Sequence, residues 1–125
     1  MLTAAMLRSM LGKLFGRFGR KGVLVPGTDA LEEGEARKVD IGDPMAGGRQ
    51  ILLCRVEGRI HAIDSLCPHE GGRIQPGPLL EGRHALCPLH NYKFDACTGK
   101  AVDVVCAAVR TYRVKESDGQ CEVFV

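Results

Sequence analysis

Tryptophan is absent from the 125-residue sequence, and phenylalanine and tyrosine together supply an aromatic share of only 5%. A core without large aromatic side chains has to be filled by valine, isoleucine and leucine. The chain length fits one domain with a modest core. The composition therefore favours a small folded domain whose interior is mainly aliphatic.

Acidic residues are absent from residues 1–22, which carry five basic side chains. Apolar residues recur there every three or four positions, which predicts an amphipathic helix that lies on an anionic membrane surface or docks to a partner. A frayed extension and an organellar targeting segment remain alternatives. The apolar residues are too interrupted to span a bilayer and form too short a run for a signal peptide. We expect an extension over 1–22, a folded domain over 23–125 and a cytoplasmic location, with a peripheral-membrane or organellar location as the alternative.

The folded part is mildly acidic. Removing the five basic residues of the extension from the 17 in the chain leaves twelve against 15 acidic residues, a net charge of −3. This charge weighs against a nucleic-acid-binding protein. Six cysteines in a short secreted chain would suggest disulfides, but no secretory signal is evident. We therefore expect four of them to be free thiols, with Cys97 the most exposed; the four are Cys54, Cys97, Cys106 and Cys121.

Four metal-ligating residues form two similar pairs near the middle of the chain. Cys67 and His69 form a C-x-H pair and, after seventeen intervening residues, Cys87 and His90 form a C-x-x-H pair. Zinc fingers usually draw each pair from like residues, whereas each pair here is mixed. Mixed pairs suit a two-iron cluster that has both thiolates on one iron and both imidazoles on the other. The pattern favours a [2Fe–2S] cluster, with a zinc site or a vestigial site as the alternatives.

This stretch resembles the Rieske family, whose ligand motif has the same two pairs. The resemblance covers roughly 23–125 and includes the approach HAIDSLCPH and the exit NYKFDACTGKAV. It implies three small antiparallel β-sheets, with a cluster-binding segment over about 64–95 on a subdomain at the tip. It also implies one-electron transfer through a Rieske [2Fe–2S] cluster. The chain would then be an electron carrier or a component of a larger oxidoreductase, not an enzyme by itself.

Residues beside the predicted ligands suit loops that wrap a cluster. Pro68 and Pro88 each follow a ligand cysteine and fix φ near −65°. Gly71 and Gly72 permit positive φ and close approach of the backbone. Backbone N–H groups brought near sulfur in this way donate hydrogen bonds that tune the potential.

The resemblance also indicates a subclass. Rieske proteins of the cytochrome bc type join the two loops by a disulfide and place a tyrosine hydroxyl on a ligand sulfur; the corresponding positions here are Gly72, Leu89 and Phe94. Fewer hydrogen bonds to sulfur predict a potential at the low end of the Rieske range, about −150 to +300 mV. Asn91 and Tyr92 depart from the glycine and tryptophan that usually follow the second histidine, and a Tyr92 hydroxyl near the cluster would work against a low potential.

Short strands separated by turn signals are predicted throughout the folded part. Turns recur at intervals of roughly 8 to 12 residues, which is typical of an all-β sandwich or small barrel. The expected strands are 23–25, 36–41, 50–56, 59–63, 84–86, 92–95, 109–114 and 121–125.

Three functions remain open at this point. The first is a carrier that takes electrons from a flavoprotein reductase and passes them to a terminal oxidoreductase such as a ring-hydroxylating oxygenase. The second is the small subunit of an NAD(P)H nitrite reductase, and the third is a zinc-binding interaction module. The sequence has no second His-His-carboxylate iron motif of the kind that an oxygenase needs. We expect the remaining histidines, His61 and His84, to be a structural and a surface residue.

Overall fold

The structure is a computed structural model that describes residues 22–125. The predicted extension therefore lies outside the described residues, apart from Gly22. Two 3₁₀ turns, Thr28–Ala30 and Pro44–Ala46, are the helical segments of the described part. Within 22–125, no helix has the length and apolar character needed to cross a membrane.

Nine antiparallel strands form the described part of the chain. They are β1 (Gly22–Pro26), β2 (Glu35–Ile41), β3 (Arg49–Val56), β4 (Arg59–Asp64), β5 (Gly77–Pro78), β6 (His84–Cys87), β7 (Tyr92–Asp95), β8 (Thr111–Ser117) and β9 (Gln120–Phe124). Seven of them pair in the order β1-β9-β8-β4-β3-β2-β5, while β6 and β7 form a separate hairpin. The predicted all-β class is confirmed.

The seven-stranded sheet consists of two parts with a narrow junction. Strands β4 and β8 are joined by two residue pairs, Ala62 with Tyr112 and Ile63 with Thr111. On one side of this junction lie β1, β9 and β8, and on the other lie β4, β3, β2 and β5. With the β6–β7 hairpin these make three small antiparallel sheets, as the resemblance implied.

Strand β3 is buried on both faces and separates two apolar cores. Successive side chains of a strand point to opposite faces, so Leu52 and Cys54 enter one core while Ile51 and Leu53 enter the other. This explains the unbroken apolar run in β3. The hairpin-side core consists of Ala36, Leu52, Cys54, Val56, Ile63, Cys67, Ile74, Leu79, Ala85, Cys87, Phe94, Ala96 and Val109.

The hairpin-side core fixes the predicted cluster-binding segment against the larger sheet. Ala85 and Phe94 from the β6–β7 hairpin pack in the same core as Leu52 and Ile63 from β3 and β4. Phe94 is fully buried, and burying such a ring contributes about 1.5–3 kcal/mol. The hairpin is therefore held by apolar packing as well as by its own strand pairing.

Two strand predictions need correction. In the closing hairpin β8 begins two residues later and ends three residues later than expected, because it runs through Ser117 and the chain turns at Asp118 and Gly119, both of which have positive φ. A two-residue Asp-Gly turn with positive φ matches the right-handed twist of paired strands, so the strand extends up to it. The two-residue strand β5, which pairs with Glu35 and Ala36, is too short to give a sequence signal.

Candidate metal centre

The first predicted ligand pair lies in a tight loop that follows β4. An isolated bridge between Leu66 and Arg73 closes the base of this loop. Inside it, the Cys67 amide donates to the Gly72 carbonyl at 2.7 Å, and the Gly71 amide donates to the Cys67 carbonyl at 3.1 Å. Gly71 has φ of 71°, a left-handed conformation that glycine adopts at little cost.

The second predicted pair lies in the loop of the β6–β7 hairpin. Cys87 ends β6 and pairs with Tyr92 at the start of β7, so four residues, including His90, form the connection. Asn91 has φ of 57° and thus takes the left-handed conformation at the position where the resembled family usually has glycine. Asparagine is among the few residues that tolerate it. Asn91 therefore takes a conformation that glycine would also allow.

The two cysteines meet in the interior. Cys67 and Cys87 are 2% and 1% exposed, and their thiols lie within hydrogen-bonding reach of each other. Burial raises the pKa of the Cys67 thiol, the backbone N–H groups of His69 and Glu70 that point at its sulfur act in the opposite direction, and the Cys87 thiol raises it further. A metal ion at this position would replace the protons and bind the thiolates.

The two histidines meet at the surface. The ring centroids of His69 and His90 lie 4.9 Å apart, and their side chains are 28% and 44% exposed. Tyr92 stacks on His69 with the centroids 4.1 Å apart and the planes 15° from parallel. The Tyr92 ring thus takes a packing role beside one predicted ligand.

Sequence reasoning missed Glu70, which contacts both imidazoles. Its carboxylate accepts a hydrogen bond from His90 Nε2 at 2.9 Å and lies 3.9 Å from His69 Nε2. These contacts, chiefly the hydrogen bond from His90, hold the pKa of the Glu70 carboxyl below its usual value. The sequence does show a carboxylate directly after the predicted ligand His69. The direction in which that side chain points, however, depends on the conformation of the loop.

The structure brings together the two positions that carry a disulfide in the cytochrome bc type. A Cβ placed on Gly72 would lie 3.1 Å from Leu89 Cβ and 2.8 Å from Cys87 Sγ. The two loops therefore touch at this point through a glycine and a leucine. The remaining predicted neighbours, Pro68 and Pro88, are exposed beside their cysteines.

The other cysteines and histidines lie outside this centre. All six cysteines of the described part are unpaired, and Cys97 is half-buried rather than exposed. Cys106 packs against the hairpin-side core. His61 lies half-buried in β4 opposite Cys54. His84 was expected at the surface, but its side chain is only 16% exposed. It begins β6 and pairs with Leu80 across the preceding turn.

The donor groups suit two metal ions better than one. The donor atoms of His69, Glu70 and His90 lie within 4.8 Å of one another, and neither cysteine belongs to that group. A tetrahedral zinc site places four donors about 2.0–2.3 Å from a single point. Here the thiols and the imidazoles form two separate pairs, one buried and one exposed. Two irons, one at each pair, match this arrangement.

The family model for the Rieske [2Fe-2S] domain matches residues 22–113. The chain belongs to the Rieske [2Fe-2S] family. Its cofactor is accordingly a Rieske-type [2Fe–2S] cluster, as the two mixed ligand pairs predicted.

Curated and solved Rieske proteins support the same assignment. The chain is 42% identical over 88 residues to the ferredoxin component of the naphthalene 1,2-dioxygenase/salicylate 5-hydroxylase systems of a Ralstonia species, covering 70% of this chain and 79% of the relative. The ferredoxin of carbazole 1,9a-dioxygenase from Nocardioides aromaticivorans has a TM-score of 0.69 at 26% identity, covering 83% of this chain and 97% of that one.

A second kind of Rieske protein shares the fold. A putative NADH-dependent nitrite reductase small subunit from Mycobacterium tuberculosis has a TM-score of 0.61 at 22% identity, covering 83% of this chain and 94% of that one. Identity at this level establishes only a common architecture. The curated relative at 42% identity is named as a ferredoxin component of a larger system, which agrees with the prediction of an electron carrier.

Proposed function

We propose that this chain is a one-electron carrier whose [2Fe–2S] cluster is held by Cys67, His69, Cys87 and His90. The two thiolates bind one iron and the two imidazoles bind the other. The observation that supports this assignment is the pairing of donors by type: two adjacent thiols in the core and two adjacent imidazoles at the surface.

A Rieske cluster supplies one-electron chemistry at a potential well above that of an all-cysteine cluster, because neutral imidazoles replace two anionic ligands. The chain contributes the environment. The buried cysteines keep water from the sulfur side, and the backbone N–H groups of His69 and Glu70 point at the Cys67 sulfur. The exposed imidazole edges give a partner protein a short route to the nitrogen-bound iron.

The partners we propose are a flavoprotein reductase as donor and the terminal oxygenase of a multicomponent system as acceptor. Support comes from the 42% identity to a ferredoxin component of dioxygenase and hydroxylase systems. A chain from the complex of reduced oxygenase and oxidised ferredoxin in carbazole 1,9a-dioxygenase has a TM-score of 0.69 to this chain at 22% identity. That likeness establishes the fold and makes an oxygenase the first acceptor to test.

The nitrite reductase small subunit is a second candidate that rests on the shared fold. Gel filtration and a reductase-coupled reduction assay separate the two. A freely exchanging monomer that a ferredoxin reductase reduces supports the carrier, whereas a chain that remains insoluble without a large partner supports the subunit.

The deciding experiment is anaerobic reconstitution with iron and sulfide, followed by visible absorption and EPR of the dithionite-reduced protein. We expect a coloured protein whose low average g value reports histidine ligation. His69→Ala and His90→Ala should abolish this signal, while His61→Ala should keep it, because His61 lies in β4 opposite Cys54 and outside the ligand loops. A colourless protein, or a signal that survives both ligand variants, would refute the assignment. Zinc binding without colour would favour the interaction module.

A further inference from the structure

Glu70 contacts both predicted ligand pairs. Its backbone N–H points at the Cys67 sulfur, while its carboxylate accepts a hydrogen bond from His90 Nε2 at 2.9 Å and lies 3.9 Å from His69 Nε2. Its position is set by the loop, since the neighbouring Gly71 amide is bonded to the Cys67 carbonyl.

The contacts with Glu70 favour one ring nitrogen of each imidazole as the metal-binding atom. A neutral imidazole has one nitrogen that donates and one that accepts, and a carboxylate can only accept. When Nε2 carries the proton toward Glu70, the lone pair of Nδ1 is free to bind a metal. Both histidines turn Nε2 toward the same carboxylate, so both leave Nδ1 free. Tyr92 supports this orientation by stacking on the His69 ring.

We propose that Glu70 is a positioning residue, which orients His69 and His90 with Nδ1 toward the nitrogen-bound iron and lowers the reduction potential of the cluster. This inference rests on the proposed function, because it needs the two histidines to be ligands. Metal-bound histidines commonly donate their other N–H to a carboxylate, which makes the imidazole a stronger donor to the metal. Here His90 donates to the Glu70 carboxylate, and His69 Nε2 lies 3.9 Å from the same carboxylate.

The sign of the effect follows from electrostatics. Reduction adds one electron to the cluster, and the carboxylate carries a fixed negative charge at the imidazole edge. The added electron and the carboxylate charge repel each other, and solvent around the exposed carboxylate screens this repulsion only in part. Neutralising Glu70 should therefore favour reduction by about three- to tenfold, and a tenfold change corresponds to a midpoint 59 mV higher for one electron.

The test is a dithionite titration, with redox mediators, of the cluster-loaded full-length chain and its variants at one fixed pH. Glu70→Gln and Glu70→Ala remove the charge, and Glu70→Asp keeps the charge with a shorter reach. The matched control is Glu32→Gln. Glu32 is an exposed carboxylate just before β2, at the opposite end of the β3–β4 hairpin from the ligand loops, and its variant changes the net charge equally.

We expect the midpoint of Glu70→Gln to rise, Glu70→Asp to fall between it and the wild type, and Glu32→Gln to match the wild type. Pulsed EPR should also detect altered coupling of the imidazole nitrogens in Glu70→Gln alone. An equal shift in Glu70→Gln and Glu32→Gln, or no shift in either, overturns the proposal. If Glu70→Gln assembles too little cluster to titrate, Glu70→Ala is the variant on which the same outcomes are judged.

The two proposals fail in different ways. If the wild-type protein lacks the EPR signal of histidine ligation, the proposed function is wrong whatever Glu70 does. If that signal is present and the Glu70 variants leave both midpoint and nitrogen coupling unchanged, only the role of Glu70 is wrong.

Discussion

Two adjacent glycines in the first ligand loop serve different physical purposes. Gly71 has φ of 71°, and a Cβ there would meet nothing within 4 Å. Gly72 has no positive φ, but a Cβ there would lie 2.8 Å from Cys87 Sγ. Gly71 therefore serves the backbone conformation, whereas Gly72 leaves space for the sulfur of Cys87, a predicted ligand.

Alanine at each position should separate these purposes. Gly72→Ala should lower the iron and sulfide content per chain severalfold, because the fully buried Cys87 has little room to move. Gly71→Ala should keep the cluster but lose about 1–2 kcal/mol of stability through left-handed strain. Iron analysis and denaturant unfolding measure the two effects. As the control, Gly71→Asn should recover part of the lost stability, and equal iron content in both alanine variants would contradict this account.

A second residue-level prediction concerns the reduction potential of the cluster. Phe94 occupies the position of the tyrosine that bonds sulfur in the cytochrome bc type, and it is fully buried in the core that holds both predicted ligand cysteines. Because its ring has no hydroxyl, we expect a midpoint potential below about +100 mV, in the lower part of the Rieske range. A spectroscopic redox titration of the wild-type protein measures it, and a midpoint above that value would show that another donor reaches the sulfurs.

The family and its cofactor could be predicted from the sequence, because the type and spacing of the two Cys–His pairs carry the chemistry. The sequence also shows that Asn91 and Tyr92 depart from the family pattern. It does not show that Asn91 adopts a left-handed φ or that the Tyr92 ring stacks on His69, because both depend on the folded loop. Glu70 could not be assigned because nothing in a linear pattern tells which way a loop carboxylate points. Such contacts depend on how two loops, seventeen residues apart, come to face each other.

At the scale of elements, an ion pair ties the β6–β7 hairpin to its own exit turn. Asp95 ends β7, and its carboxylate accepts hydrogen bonds from Arg83 Nε at 2.7 Å and from the amides of Cys97 and Thr98 at 2.8 and 3.0 Å. Burial by itself would raise the pKa of Asp95, but Arg83 and the two amides outweigh it and hold the pKa below its usual value. The hairpin that carries Cys87 and His90 is thus anchored at its open end.

Asp95→Asn should destabilise the protein by about 1–2 kcal/mol at neutral pH, because a charge-assisted hydrogen bond is lost. The pKa of Asp95 is lower in the folded than in the unfolded state, so its stabilisation is complete above about pH 4 and disappears as the pH falls through the folded-state value. Denaturant unfolding from pH 7 to pH 3 should therefore show the wild type and the variant converging at low pH. Asp103→Asn, an exposed acid with the same charge change, is the control and should follow the wild type throughout.

Elements were predictable where side chains alternate and uncertain where polar residues extend a strand. Glu116 and Ser117 lie beyond the strand expected over 109–114, yet they belong to β8, because they pair with Cys121 and Gln120 of β9 and the turn needs only Asp118 and Gly119. Arg55 was also beyond prediction. Its guanidinium donates to the carbonyls of Leu31, Thr28 and Gly58, which requires the segment 28–31 to lie against the β3–β4 hairpin.

At the scale of the whole molecule, the basic segment before β1 remains a proposal for docking. Strand β1 begins at Gly22, which pairs with Phe124 at the other end of the described chain. Residues 22–26 thus form an edge strand of the sheet, and this pairing involves none of residues 1–21.

Deleting residues 1–21 should leave the unfolding midpoint and the reduction potential unchanged. It should abolish co-sedimentation with anionic lipid vesicles, since five basic residues precede β1. Neutral vesicles serve as the control and should bind neither protein. If the full chain ignores anionic vesicles and the truncation instead raises the KM of a reductase-coupled assay, the segment docks to a protein; no change in either assay would contradict a docking role.

The contrast between the buried cysteines and the exposed histidines has a kinetic consequence. If the cluster exchanges electrons only through the exposed histidine side, donor and acceptor bind the same docking site. Their binding is then mutually exclusive. Turnover in a system reconstituted with donor and acceptor would then follow ping-pong kinetics. A large excess of oxidised acceptor would slow reduction of the cluster by the donor, because the acceptor would occupy the shared docking site.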